Sequence, residues 1–178
     1  MALRFLTAGE SHGKALLGIL EGLPAGLELS PEDIQAALIR RKHGHGRGNR
    51  QKIETDAVEI LAGVRHGKTL GSPIGLSIAN ADFKNWGEIM SVKTAAGAVE
   101  RKVEVPRPGH ADLVGAIKYR FDDMRNVLER SSARETAMRV AIGSVARKFL
   151  KVCGMSVASR VVQIGQAKDL SPLPCGVS

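Results

Sequence analysis

From Ser132 to about Lys151 the chain carries its longest helical pattern, and that pattern limits what the rest can pack against. Ala137, Ala141, Ser144, Val145 and Phe149 fall on one stripe, with Val140 and Ile142 beside it. The stripe is rich in small residues, and with Gly143-Ser144 it predicts another element packed very close. The apolar pattern elsewhere supplies strands for that role. Ile74, Leu76 and Ile78 alternate with Gly75, Ser77 and Ala79, the period of a strand with one face on a core. Arg4-Phe5-Leu6-Thr7 reads as a short strand and Ala15 to Gly22 as a buried one, with Leu23-Pro24-Ala25-Gly26 turning the chain after it. Ile53-Glu54-Thr55-Asp56, Val58 to Val64 and Met155 to Gly165 read as further strands, the last with Val157, Val161 and Ile164 as its apolar positions.

Two more helices complete the order. Ser30-Pro31-Glu32-Asp33 is a helix start, with Ser as cap, Pro in the first turn and acids at the positive pole. Ile34, Ala37, Leu38 and Arg41 fall on adjoining turns, and Arg40-Arg41-Lys42 complements the other pole. Ala111 to Arg120 is the second helix, followed by a charged connection to Asn126. Residues 83–104 read as loop, with one short helix near Trp86 to Met90. The order is strands, helix, strands, helices, strand, an α+β mixture rather than a regular βαβ alternation. Nothing divides residues 1–178 into domains and no repeat is visible. Aromatics are 3% of the chain against 43% hydrophobic residues overall, so Leu, Ile, Val and Ala must build the core.

The chemistry concentrates between Arg107 and Thr136. Arg107-Pro108-Gly109-His110-Ala111-Asp112 turns at Pro-Gly just before a titratable His. Glu129-Arg130-Ser131-Ser132-Ala133-Arg134-Glu135-Thr136 carries preferred cap residues, and Glu135 stands three positions after Ser132 as in a capping box. Free N–H groups at a helix start, with Arg130 and Arg134 beside them, make a seat for phosphate. A capped helix with surface arginines is the plainer reading of the same residues.

Two other polar loops stand out. Gly9-Glu10-Ser11-His12-Gly13 brackets a Ser and a His with glycines. Adjacent residues usually point apart, so the pair is not read as a hydrolytic triad. His43-Gly44-His45-Gly46-Arg47-Gly48-Asn49-Arg50 combines alternating glycine with arginines able to grip an anion two-pronged. A solvated basic loop is its plainer reading. His43 and His45 lack a carboxylate or Cys at ligand spacing, so no metal site is expected.

The net charge of +8 and pI near 9.9 call for an anionic partner. A basic nucleic-acid-binding module is the alternative here, but one Trp, one Tyr and four Phe are few for stacking bases, which favours small anions. Cys153 and Cys175 make no paired motif and read as free thiols of a reducing compartment. The start lacks a signal-peptide core and no apolar run reaches membrane-spanning length, so a cytoplasmic protein with no membrane contact is expected.

Six stretches, in order, resemble the chorismate synthase family. They are Thr7 to Gly13, Glu21 to Gly26, Arg40-Arg41 with His43 to Gly48, Leu61 to Ile74, Arg107 to Asp112 and Glu129 to Thr136. The resemblance implies the family's sandwich of helices and antiparallel sheets. It also implies its reaction, the last step of the shikimate pathway: 1,4-anti elimination of phosphate from 5-enolpyruvylshikimate 3-phosphate to give chorismate, with reduced FMN required and no net redox change. By the same resemblance His12 would be the general acid for the departing phosphate, and His110 would sit by the flavin and protonate its reduced anionic form. Arg41, Arg47, Arg107 and Arg134 would clamp the substrate's phosphate and carboxylates, with Ser11 nearby. Arg130, Ser131 and Ser132 would contribute to the FMN site. A homotetramer and, in bifunctional members, NADPH as flavin reductant are also implied. The family's chains are about twice this long, and an Arg-Ser-Asp motif next to the flavin lies in the half not present here. The chain is therefore expected to be the N-terminal part of a single chorismate synthase domain, inactive alone.

Overall fold

The computed structural model describes residues 2–43, 50–94, 97 and 101–171. His45, Arg47 and Cys175 lie outside them. The elements run β1 (Arg4–Ala8), β2 (Ala15–Glu21), β3 (Ala25–Glu28), α1 (Pro31–Lys42), α2 (Arg50–Ile53), β4 (Val58–Ala62), β5 (Val64–Arg65), β6 (Lys68–Leu70) and β7 (Ile74–Ala79). A 3-10 helix (Ala81–Asn85) leads to α3 (Asp112–Tyr119), α4 (Arg125–Ser131), α5 (Glu135–Val152), β8 (Gln163–Ile164) and β9 (Ala167–Lys168).

Helices and antiparallel sheets share one core, as the alternating patterns require. The main sheet has the order β1-β2-β7-β4, and every neighbouring pair is antiparallel. Period two sends Leu16 and Leu20 of β2 and Ile74, Leu76 and Ile78 of β7 to one face, where all are buried. Ile34 and Leu38 of α1 and Ala137, Met138, Ala141, Ile142 and Val145 of α5 cover that face. Each fully buried aliphatic side chain is worth roughly 1.5–3 kcal/mol against exposure. On the far face Leu6, Leu17, Ile19 and Leu61 stay exposed. A smaller sheet, β3-β6-β5, continues from the β2 end.

The close approach predicted for α5 exists, but the glycine that permits it is on the sheet. A Cβ at Gly18 of β2 would lie 2.5 Å from Met138 Sδ and 2.9 Å from Ile142 Cδ1. Gly143, expected at a tight contact, faces open space, and a Cβ there would meet nothing within 4 Å. Gly115 of α3 plays the part of Gly18 a second time, with Val127 of α4 where its Cβ would be, 2.4 Å away.

Five expectations are corrected. Ser132 does not open the long helix: it caps the C-terminal end of α4, and α5 begins at Glu135 with Arg134 at its N-cap. The expected capping box is absent because the Glu135 carboxylate is taken by Thr7 Oγ1 at 2.8 Å and by Arg139. The strand expected over Ile53 to Asp56 is instead the end of α2 and an irregular run, since Glu54 and Asp56 turn inward to meet buried arginine. Ala25-Gly26, read as turn, opens β3. Within Met155 to Gly165 only Gln163–Ile164 pairs, and Val157, Val161 and Ile164 are 66%, 64% and 73% exposed, so no core face holds that segment as a strand.

Candidate active site

The β1–β2 connection supplies the first residues. Gly9 takes φ +98°, and a Cβ there would sit 2.3 Å from the Ala15 carbonyl oxygen, so the tight turn needs glycine. Asn80, just past β7, pins this turn by donating from Nδ2 to the carbonyls of Glu10 (3.0 Å) and Gly13 (2.7 Å). Between those anchors Ser11 and His12 are turned onto α4. The Ser11 N–H donates to the Glu129 carbonyl at 2.8 Å, and its hydroxyl donates to Ser132 Oγ at 3.0 Å. Arg50 Nη1 donates to Ser11 Oγ at 2.8 Å, and Nη2 donates to its carbonyl.

His12 is held from two sides. Its N–H donates to Glu129 Oε2 at 2.8 Å, and ring Nδ1 lies 2.8 Å from Oε1 and 3.0 Å from Oε2. Its ring stacks on Trp86 with centroids 3.9 Å apart and planes inclined by 26°. Trp86 is anchored in turn, its Nε1–H donating to Asp82 Oδ2 at 3.1 Å, with the Arg101 guanidinium 4.3 Å from the ring centroid. Glu129 is buried, and burial alone would push its carboxyl up. The hydrogen bonds and charge of His12 and the Arg125 guanidinium, 3.0 Å from Oε1, outweigh that and hold it below the usual carboxylate range.

Of the arginines assigned by resemblance to the substrate, Arg41, Arg107 and Arg134 lie among the described residues, each against a carboxylate. Arg134 is 7% exposed. Its Nε donates to Asn80 Oδ1 at 2.8 Å, Nη1 to Asp56 Oδ1 and Nη2 to Glu54 Oε2 at 3.3 Å. Arg41 spans Asp56 Oδ2 (3.3 Å), Thr136 Oγ1 (2.8 Å from Nη2) and the Ala133 carbonyl (3.0 Å). Arg107 grips Asp112, and its pKa is raised chiefly by that hydrogen bond, with the charge of Glu129 adding to it. His110 is exposed on the same turn, its N–H donating to the Arg107 carbonyl at 3.3 Å. The structure therefore brings Ser11, His12, Ser132, Arg134 and Arg41 into one bonded network through Glu129, Arg50, Glu54 and Asp56, and leaves His110 exposed on the Arg107 turn.

Arg130 Nη2 donates to the Thr7 carbonyl (2.9 Å) and Thr7 Oγ1 (2.6 Å), while its Nη1 is buried without a hydrogen-bond partner. It lines a cavity of about 330 Å³ with Tyr119, Phe121, Asn126, Val127 and Ser131. The Tyr119–Phe121 ring pair, 5.8 Å between centroids, gives this cavity a flat aromatic wall beside the arginine.

Sequence reasoning did not assign Glu129, Trp86, Asn80, Glu54 or Asp56 to the site, whereas Arg50 was read as an anion-gripping arginine of its Gly-rich loop. Glu129 lay inside a quoted motif. Trp86 is the chain's one tryptophan, in a stretch without a period. Asn80 and the two acids carry no local sign of their distant partners. Among the described residues, no helix is long and apolar enough to cross a membrane.

The comparisons with known proteins agree. The family model "Chorismate synthase" matches residues 3–176. A chorismate synthase of Lactococcus lactis subsp. cremoris is 58% identical over 172 residues, covering 96% of this chain and 44% of its own. One from Streptococcus agalactiae is 60% identical over 165 residues, covering 92% of this chain and 42% of its own. A solved structure described as chorismate synthase superimposes with TM-score 0.71 at 47% identity, over 95% of this chain and 40% of that one. The chain thus spans less than half the length of these relatives.

Proposed function

The chain belongs to the chorismate synthase family, and from that premise we propose that it carries the phosphate-expelling part of a lyase converting 5-enolpyruvylshikimate 3-phosphate to chorismate. The observation that carries this reading is His12, its side chain 18% exposed, locked to buried Glu129 beside a cluster of arginines.

A leaving phosphate needs a proton or a cation. His12 gives its proton to the bridging phosphate oxygen as the carbon–oxygen bond breaks and its electron pair leaves with phosphate. The C–H pair at the far end of the allylic system becomes the second ring double bond, and the proton released there passes to water, which reprotonates His12. The substrate's phosphate and two carboxylates need cations. Arg41, Arg107 and Arg134, with Arg47, provide them and Ser11 adds a hydroxyl. Because Glu54, Asp56 and Asp112 already bond these guanidinium groups, the arginines are held in place before the anion arrives. Each guanidinium has five N–H donors, so sharing is feasible. Arg130 and Ser131 at the cavity, with Ser132 behind them, would hold reduced FMN. When bound, FMN supplies electron density beside the ring without net oxidation or reduction. His110, exposed before α3, would offer a proton-bearing imidazole to that group. FMN reduction by NADPH, a homotetramer and a cytoplasmic location carry over with the family resemblance.

The test is an anaerobic assay with 5-enolpyruvylshikimate 3-phosphate and chemically reduced FMN. Chorismate and phosphate appearing in equal amounts are expected from the enzyme containing this segment. Absence of both, with oligonucleotide binding that falls steeply with salt, would replace this reading by the nucleic-acid module.

A further inference from the structure

We propose that Glu129 and Trp86 are positioning residues that fix the imidazole of His12 with Nδ1 as its permanent N–H and Nε2 as the nitrogen that exchanges the proton. This rests on the reading of His12 as the proton donor, and it adds which nitrogen works and what holds it.

Three contacts define the ring. An ionised carboxylate can only accept, so the nitrogen 2.8 Å from Glu129 Oε1 must donate. The same carboxylate receives the His12 backbone N–H at 2.8 Å, which fixes the main chain from which the ring hangs. Trp86 then closes off one ring face at 3.9 Å, leaving rotation about the Cα–Cβ bond no room on that side. Glu129 is itself clamped by Arg125 Nη1 at 3.0 Å, and Arg125 also lies over Trp86, 5.1 Å from the ring centroid. One cation therefore braces both supports.

The arrangement has a chemical direction. When Nε2–H passes its proton to the leaving phosphate oxygen, the neutral ring left behind is the Nδ1–H tautomer, the form Glu129 already bonds. No ring flip or internal proton shift follows, because the bond to Glu129 is the same before and after the step. Were Nδ1 the donor, the product ring would present a lone pair to a carboxylate.

Nitrogen-15 spectra of the histidine-labelled protein read this directly. Neutral His12 is expected as the Nδ1–H tautomer in the wild type. Glu129→Gln, nearly the same size but able to donate an amide hydrogen to Nδ1, is expected to raise the Nε2–H fraction. In the active enzyme it should lower kcat about 100-fold with KM within about twofold. Glu129→Asp, which keeps an acceptor, should retain the wild-type tautomer. Trp86→Phe should keep a stacking face and most of kcat, and Trp86→Leu should not. An Nε2–H tautomer in the wild type overturns the proposal, as does Glu129→Gln with unchanged tautomer or wild-type kcat. If the wild type shows the Nδ1–H tautomer but releases no phosphate, the lyase reading falls and the fixing of the ring stands.

Discussion

Arg107 and Asp112 form a two-pronged ion pair, Nε to Oδ2 at 2.8 Å and Nη2 to Oδ1 at 2.9 Å, and the Arg107 backbone N–H adds a third bond at 3.0 Å. The pair closes the Pro108-Gly109 turn and so places His110. The hydrogen bond from Arg107 outweighs the opposing effect of burial and lowers the Asp112 carboxyl from 3.8 to about 2. A carboxyl lowered in the folded state stabilises it fully above the unfolded value and loses that effect as pH falls toward the folded one. Stability should therefore decline between about 4 and 2 as this group protonates. Asp112→Asn should flatten that part of the curve and lower stability at neutral pH by on the order of 2 kcal/mol. Urea unfolding across pH is the measurement, and unchanged curves would contradict it.

His12→Ala should lose about 10²- to 10⁴-fold in turnover while FMN affinity stays near wild type. His12 bonds Glu129 and Trp86, whereas the cavity lined by Arg130 and Ser131 has other walls. Parallel turnover and flavin-fluorescence titrations separate the two effects. Turnover equal to wild type would remove the acid role.

Arg134→Ala should act on folding before it acts on binding. The substitution leaves Glu54 and Asp56, both buried, without their shared cation, a loss of about 3–5 kcal/mol for a broken buried pair. Thermal melting should fall by many degrees, with or without substrate present. A variant that melts normally and only raises KM would assign Arg134 to the ligand alone.

Gly18→Ala should destabilise by about 1–3 kcal/mol by driving a methyl into Met138 and Ile142. Combined with Met138→Ala it should cost less than the sum of the two single changes. Additive melting shifts would show that the two positions do not meet.

Much of the sheet was legible because its code is local. The alternation at Ile74, Leu76 and Ile78 and the Ser30-Pro31 helix start each lie within a few residues, and both appear as read. Gly143 misled because a small residue on a helix stripe looks the same whether it meets a neighbour or open space. Ser132 and Glu135 misled because their spacing fits a cap, yet each side chain found a better partner across the fold, Ser11 and Thr7 respectively. Ile53 to Asp56 looked like strand because nothing local announces that its two acids will serve Arg134, some 80 positions away. The motifs located the polar loops of the site, but the bonds that order them run between loops distant in sequence.

Thr7, Ser11 and His12 draw their partners from residues 129–135, with separations of 117 to 128 positions. A chain made from its N-terminus therefore presents these side chains to the ribosome's surroundings long before anything exists to hold them. Until α4 has emerged, the first loop has only its glycines, Arg50 and Asn80 to shape it, and a nascent chain halted short of Glu129 lacks the carboxylate that holds His12.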